Sequence, residues 1–428
     1  MKSDQTKYLI RFLSFLLLAG CADLSEIESH SFFEKTRSDN LWSAVTGFPD
    51  KQDLAILLPR LHENAITIDI PTHAGDALMP GRWLKSVDEA YWDTEVGTAF
   101  GDENLDRDWQ VVSLRIAPCS PLGKRPGPEA SRLCWPEVRL VWQPVLMDYF
   151  IGWTTVEAFS DDRAMHALYH VHASQDPARS KSILTDLKSR LKASNEPVVW
   201  SEDQWNRFYD ARQAAMDELL NAVLGLRSGE RQAQEYGTLD YRVEAFGSDA
   251  ERNGFYTRLS DFLARFGQAR SLHTLTSFSL PEGQNPSGSD TWVFIAFEAD
   301  EGHLSQLDLN VADPVTGETL VEIGQSETVR ALQGDEVLVD ATGDWSVNAE
   351  KLKQQVVLNR EDQGRLRERI NDPNQTLVPN TSCASCHSFN DLSFDFHNLS
   401  YLQEMEITIA PRVRKDVTAD INWLRRHP

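Results

Sequence analysis

Apolar and polar residues alternate along Ala65-Ile66-Thr67-Ile68-Asp69-Ile70, along Trp109-Gln110-Val111-Val112-Ser113-Leu114-Arg115-Ile116, and along Glu137-Val138-Arg139-Leu140-Val141-Trp142. A period of two sends alternate side chains to opposite faces, so each stretch predicts a half-buried strand. Pro71, Pro118 and Pro144 stand where these strands are expected to stop. The period then changes. Ile183, Leu184, Leu187 and Leu191 recur at helical spacing within residues 180–194. Ser201-Glu202-Asp203-Gln204 signals a helix start, and the run through Leu226 places Trp205, Phe208, Ala215, Leu219, Leu220 and Val223 along one side. Ser248 caps a further helix reaching Phe266, with Phe255, Leu259, Phe262 and Leu263 apolar.

Strands return at residues 291–297 and 304–311, and the turn residues 312–317 lead into a hairpin with residues 319–323. Residues 336–340 suit another strand, and residues 349–370 are charged and helix-prone until Asn371-Asp372-Pro373-Asn374. Residues 407–413 predict a covering strand. Asp416 to Leu424 predicts a last helix, with Val417, Ile421 and Leu424 facing inward. Strand runs interleaved with a helical block indicate an α+β chain. The expected layout is a β-rich body with a central helical block at 56–345, then a small, mainly α C-terminal module at 346–428.

Composition narrows the function. The chain has 428 residues, enough for two domains, and its 41% hydrophobic and 25% charged residues describe a globular protein. The net charge of -23 argues against nucleic acid, because phosphate binding needs a basic surface. An acidic surface suits a solvated protein and can steer a basic protein partner.

The first twenty residues combine a basic start (Lys2, Lys7, Arg11) with the apolar run Phe12-Leu13-Ser14-Phe15-Leu16-Leu17-Leu18. That run is shorter than the roughly 20 residues a bilayer demands, so it predicts a processed export signal. It ends in Leu18-Ala19-Gly20-Cys21, which resembles the lipobox of bacterial lipoproteins. The resemblance implies cleavage before Cys21 and acylation of Cys21, with residues 21–55 as a polar tether. Ala22, where an aspartate would favour the inner membrane, implies the outer membrane, on its periplasmic side; the cell surface and the inner membrane stay open.

Four cysteines remain. Cys119 and Cys134 bracket a loop carrying Pro121, Gly123, Pro126, Gly127 and Pro128, and an oxidising compartment predicts a structural disulfide between them. Closing a 15-residue loop is worth about 3 kcal/mol in the chain-entropy account.

The last two cysteines carry the chemistry. Cys383-Ala384-Ser385-Cys386-His387 matches C-x-x-C-H. Two thiols three positions apart suit the two vinyl groups on one porphyrin edge, and the adjacent imidazole suits the iron. The motif resembles the attachment site of c-type cytochromes, which implies one covalent haem c on Cys383 and Cys386 with His387 as axial ligand. The alternatives are a Cys383–Cys386 disulfide, or a zinc site completed by His387 and His397. Zinc usually takes a second pair of ligands from another knuckle, and no further free cysteine pair exists.

For the sixth iron ligand His397 is favoured over Met405, with a ligand from the body or an open position as further alternatives. Ten residues separate His387 from His397, and an extended path of about 33–36 Å rounds a porphyrin edge. Arg412 is a candidate partner for a haem propionate, against the plainer reading of a solvated arginine.

Other candidates are weaker. His166, His170 and His172 cluster; on a helix the first two share a face, on a strand the last two do. A metal or distal haem role is open to them, while packing is the plainer reading. Asp102, Asn104, Asp106 and Asp108 alternate as in calcium loops, but Arg107 and Ser113 occupy positions that need Gly and Glu. Ser189 and Lys192 match S-x-x-K without companion motifs, and no hydrolase or nucleotide-binding fingerprint occurs. The expected function is single-haem electron transfer by a membrane-anchored periplasmic cytochrome, with the body as docking scaffold for a redox protein partner. The alternative is a binding or sensor lipoprotein in which haem serves sensing or structure. An electron carrier is favoured over a turnover enzyme.

Overall fold

The structure is a computed structural model that describes residues 48–58, 64–92, 109–122, 133–149, 156–160, 164–193, 198–227, 243–279, 291–306, 309–312, 319–323, 329–332 and 411–427. They belong to two compact units. One is Pro49–Asn422; the other holds Phe48 and residues 423–427 among its described members. Cys21, Cys383, Cys386, His387, His397 and Met405 lie outside the described residues, as do the expected elements at 336–340 and 349–370 and the acidic run at 102–108.

The larger unit starts with α1 (Lys51–Leu54) and β1 (Ala55–Leu57). The Asp50 carboxylate accepts from the N–H groups of Gln52 at 2.8 Å and Asp53 at 3.1 Å, and Asp53 accepts from the Asp50 N–H at 2.7 Å. This reciprocal cap satisfies the first orphan donors of a one-turn helix. The buried Asp53 also holds the guanidinium of Arg227. Further on come α2 (Gly81–Trp92), β2 (Trp109–Pro121), β3 (Cys134–Tyr149), β4 (Val156–Ser160) and β5 (Ala164–His170). The helical block is α3 (Pro177–Ala193), α4 (Glu202–Leu224) and α5 (Asp249–Phe266). The strands β6 (Leu272–Ser279), β7 (Thr291–Asp300), β8 (His303–Gln306), β9 (Leu309–Ala312), β10 (Thr319–Ile323) and β11 (Val329–Leu332) follow, and α6 (Pro411–Arg426) comes last.

The strands build an antiparallel sheet in the order β1-β2-β3-β5-β6-β7-β11, with β4 paired to β3 and β8 to β7; β9 and β10 form a separate ribbon. The chain is therefore a mixed α+β protein. The helical block interrupts the strand sequence between β5 and β6, yet those two strands pair directly.

One sheet face is apolar. Leu114, Ile116, Val138, Leu140, Trp142, Ala167, Tyr169 and Leu275 are buried on it. The helix α4 packs against β2 and β3. Phe208 of α4 meets Trp135 at 5.7 Å between ring centroids, and Trp135 Nε1 donates to Val171 O at 2.7 Å. Both predicted N-caps form. Ser201 Oγ accepts the Gln204 N–H at 3.3 Å, and the Glu251 carboxylate accepts from the Ser248 N–H at 2.8 Å. The hairpin between β7 and β8 turns at Glu301 and Gly302, with φ of 50° and 77°. Glycine adopts that geometry without a Cβ penalty, and the Gly302 carbonyl accepts from Trp83 Nε1 at 2.8 Å.

Several expectations need correction. Residues 65–70 form no strand: Ile66 and Ile68 are buried as the alternation demands, but only an isolated bridge, Thr67 to Gln110, joins the sheet. Pro118 does not end β2, which runs on to Pro121; the proline sits where the register shifts between Ala117 and Ser120, a bulge that needs no donor from it. Pro144 does not end β3 either. It faces Trp109 at the edge of β2, and beyond it β3 changes partner to β4. Residues 304–311 divide between β8 and β9. Residues 411–413 open α6 instead of closing a strand, since Pro411 takes the first helical position, where its missing N–H costs nothing. The helical face itself is as expected, with Val417, Ile421 and Leu424 buried.

Candidate functional site

The second face of the sheet carries charges and histidines among apolar residues, and much of it is buried. Glu137 of β3 stands opposite His170 of β5, and Arg139 opposite Leu168. On the other side of β3, Arg139 stands opposite Arg115 of β2. Residues directly opposite in an antiparallel pair share a face, so these charges gather on the side away from the apolar layer. Arg115 pairs with Asp420 of α6, with 12% and 16% of the two side chains exposed.

His273 joins this face through an irregularity. The register between β5 and β6 shifts between Leu168 and Tyr169: Leu168 pairs with Thr274, and Tyr169 pairs with Leu272. One extra residue, His273, is thereby inserted into β6, the arrangement of a bulge that re-aims a side chain. Leu272 and Leu275 stay buried, while His273 and Thr274 turn toward Glu137.

The resulting cluster is tight. His273 Nε2 lies 2.9 Å from Glu137 Oε2, and Thr274 Oγ1 lies 2.9 Å from His273 Nδ1. His170 stacks on His273, with ring centroids 3.8 Å apart and planes 13° from parallel. Arg139 donates from Nε to Glu137 Oε1 and from Nη2 to Ser120 Oγ at 3.0 Å. Glu137 and His170 are buried, and the His273 side chain is 17% exposed, the edge by which solvent reaches the group.

The electrostatics fix the protonation states. Burial would raise the Glu137 pKa, but Arg139 and the His273 hydrogen bond outweigh it and hold the carboxyl down at about 2. Burial pushes the His170 imidazole well below its usual range, helped by His273 and Lys188. Burial and Lys188 also lower His273, against the opposing pull of Glu137. Glu137 is thus ionised and both imidazoles are neutral at pH 7. With a neutral ring, His273 Nε2–H donates to Glu137, and the Thr274 hydroxyl donates to Nδ1.

One donor atom from each of Glu137, His170 and His273 lies within 4.8 Å of the others. Two imidazoles and a carboxylate form a donor set suited to a transition metal. The chain Thr274–His273–Glu137 also has the connectivity of a hydroxyl–imidazole–carboxylate relay. Thr274 is only 7% exposed, however, so its hydroxyl serves to orient the ring.

Of the residues singled out by sequence, Cys119 and Cys134 form a disulfide with Cα atoms 4.9 Å apart, joining β2 to the first residue of β3. Arg412 lies in the first turn of α6. His166 and His170 share a face of β5, and His172 follows the strand's end. Glu137 and His273 carry no local signal in the sequence. His273 stands 103 positions from His170 in the sequence, and no local spacing links the two. The scans of family models, curated proteins and solved structures match nothing in this chain.

Proposed function

We propose that this chain is a lipid-anchored, extracytoplasmic cytochrome that carries one c-type haem and transfers single electrons. The observation that carries the reading is Cys383-Ala384-Ser385-Cys386-His387, whose two thiols and adjacent imidazole are the donor set for covalent haem. The bound group supplies a reversible ferric–ferrous couple. Cys383 and Cys386 hold it, His387 is the axial ligand, and His397 is the favoured sixth ligand, with Met405 as the alternative.

Two features agree with this reading. The export signal ending at Cys21 delivers the chain to the side of the membrane where haem attachment takes place in c-type cytochromes. The Cys119–Cys134 disulfide suits the same oxidising compartment. Cys21 provides the anchor, and no helix among the described residues is long and apolar enough to cross a membrane. The α+β body is the docking scaffold, and residues 346–428 form a small haem module ending in α6.

The test is co-expression with a cytochrome c maturation system, followed by a pyridine haemochrome assay and intact mass. One haem per chain is expected, and Cys383→Ser with Cys386→Ser should abolish it. A chain that leaves maturation without covalent haem overturns the reading. Absence of a near-infrared methionine-to-iron band is expected for His397 ligation, and its presence transfers the role to Met405.

A further inference from the structure

We propose that Glu137, His170 and His273 form a second, mononuclear metal site, built to bind one first-row divalent cation of the Zn²⁺ type and independent of the haem motif. Three strands supply one ligand each, and the bulge at His273 brings the third into reach.

The donors select the ion. Two imidazole nitrogens and one carboxylate oxygen suit Zn²⁺, Fe²⁺ or Cu²⁺, whereas Mg²⁺ and Ca²⁺ take oxygen shells. Metal–ligand bonds of about 2.0–2.2 Å place tetrahedral donors about 3.4 Å apart. The three donors already lie within 4.8 Å of one another, so side-chain rotation alone brings them to a common ion. His170 and His273 now stack 3.8 Å apart, and turning the rings so that a nitrogen of each converges is the main adjustment.

The surroundings match the outer partners of a metal site. Arg139 occupies Glu137 Oε1, which leaves Oε2 as a single, oriented ligand atom. Thr274 Oγ1 faces His273 Nδ1, so the other tautomer is also supported, with Nδ1–H donating to the threonine hydroxyl. Reaching it releases the Nε2 proton to water and takes one from water at Nδ1, so the ring stays neutral and Nε2 offers its lone pair to the ion. Arg139 and Lys188 add positive charge nearby, which weakens binding; Asp416 and Asp420 lie close enough to Arg139 to offset part of it. Three protein ligands leave a fourth position, reached past the part-exposed His273 and filled by water or a small ligand, as in zinc sites that do chemistry.

The test uses the mature, untagged chain in detergent, titrated with Zn²⁺ by calorimetry and then measured by X-ray absorption at the zinc edge. One Zn²⁺ per chain is expected, with an all-nitrogen and oxygen shell that includes two imidazoles. Cys383→Ser with Cys386→Ser should leave this binding intact. His170→Gln should weaken it more than about 100-fold, beyond the effect of an outer-shell partner. No stoichiometric binding, sulfur in the shell, loss on the double serine change, or indifference to His170→Gln each overturns the proposal. The absorption spectrum of the wild-type chain needs no variant, so a poorly folding His170→Gln leaves the test decisive.

Discussion

The central sheet has two faces, and β3 contributes to both with adjacent residues. Val138, Leu140 and Trp142 point into the apolar layer, while Glu137 and Arg139 point into a layer of paired charges and histidines. The first face is held by area removed from water, which is forgiving of exact partners. The second depends on pairs such as Glu137 and Arg139 staying matched, because a buried ion without its partner costs several kcal/mol. The two faces should therefore differ in how they fail, and the disagreement should be largest where partners are removed singly.

Leu140→Ala tests the apolar face. It removes a fully buried side chain from between Leu114 and Ala167, its neighbours on β2 and β5, and should cost about 2–5 kcal/mol in urea unfolding. Glu137→Ala tests the polar one. It strands Arg139 and takes the partner from His273 Nε2, at a similar cost of about 3–5 kcal/mol. The contrast lies in rescue. Leu140→Met should recover most of the lost stability, because it restores apolar volume. Glu137→Met should recover little, since it fills the space and leaves the guanidinium unpaired. Equal recovery on both faces would mean that the polar layer is held by packing alone.

This difference also explains what was legible in the sequence. The alternation that predicts β2, β3 and their apolar face is a local signal, as are Ser201 and Ser248 at their helix starts. The polar positions of the same strands look identical whether they face water or a covered ionic layer, so Glu137 and Arg139 gave no sign of burial. His273 was hidden by its bulge, because a one-residue insertion into a strand shows only against the partner strand. Of the three histidines near 170, only His170 belongs to the cluster. Strands of three to five residues such as β1, β4 and β11 carry too few alternations to be read.

Acid sharpens the comparison next. His166, on the polar face, is pushed down from 6.5 to about 4 by burial and then by Arg139. Its folded pKa is below its unfolded one, so its contribution is complete above pH 6.5 and is lost as the pH falls through 4. The shift corresponds to about 3 kcal/mol. Unfolding free energy should fall between pH 6.5 and 4, and His166→Gln should fall by less over the same window. Parallel curves for the two proteins would place the acid sensitivity elsewhere.

The smallest expected effect has the opposite sign. Asp420 meets Arg115 across the polar face, but burial and the neighbouring Asp416 raise its pKa from 3.8 to about 6, against the pull of Arg115. A carboxyl whose folded pKa is raised contributes stability below its unfolded pKa, and loses it as the pH climbs through 6. At pH 7 the ion pair therefore carries a net penalty, in line with buried pairs whose desolvation exceeds their attraction. Asp420→Asn keeps the shape, removes the charge and should stabilise the chain by about 1–2 kcal/mol at pH 7, the shift being discounted for partial exposure. At pH 4 the gain should vanish, because the wild-type carboxyl is by then protonated in the fold. A variant less stable than wild type at pH 7 would show instead that the Arg115 pair holds α6 to the sheet, and would align this corner of the polar face with Glu137 and Arg139.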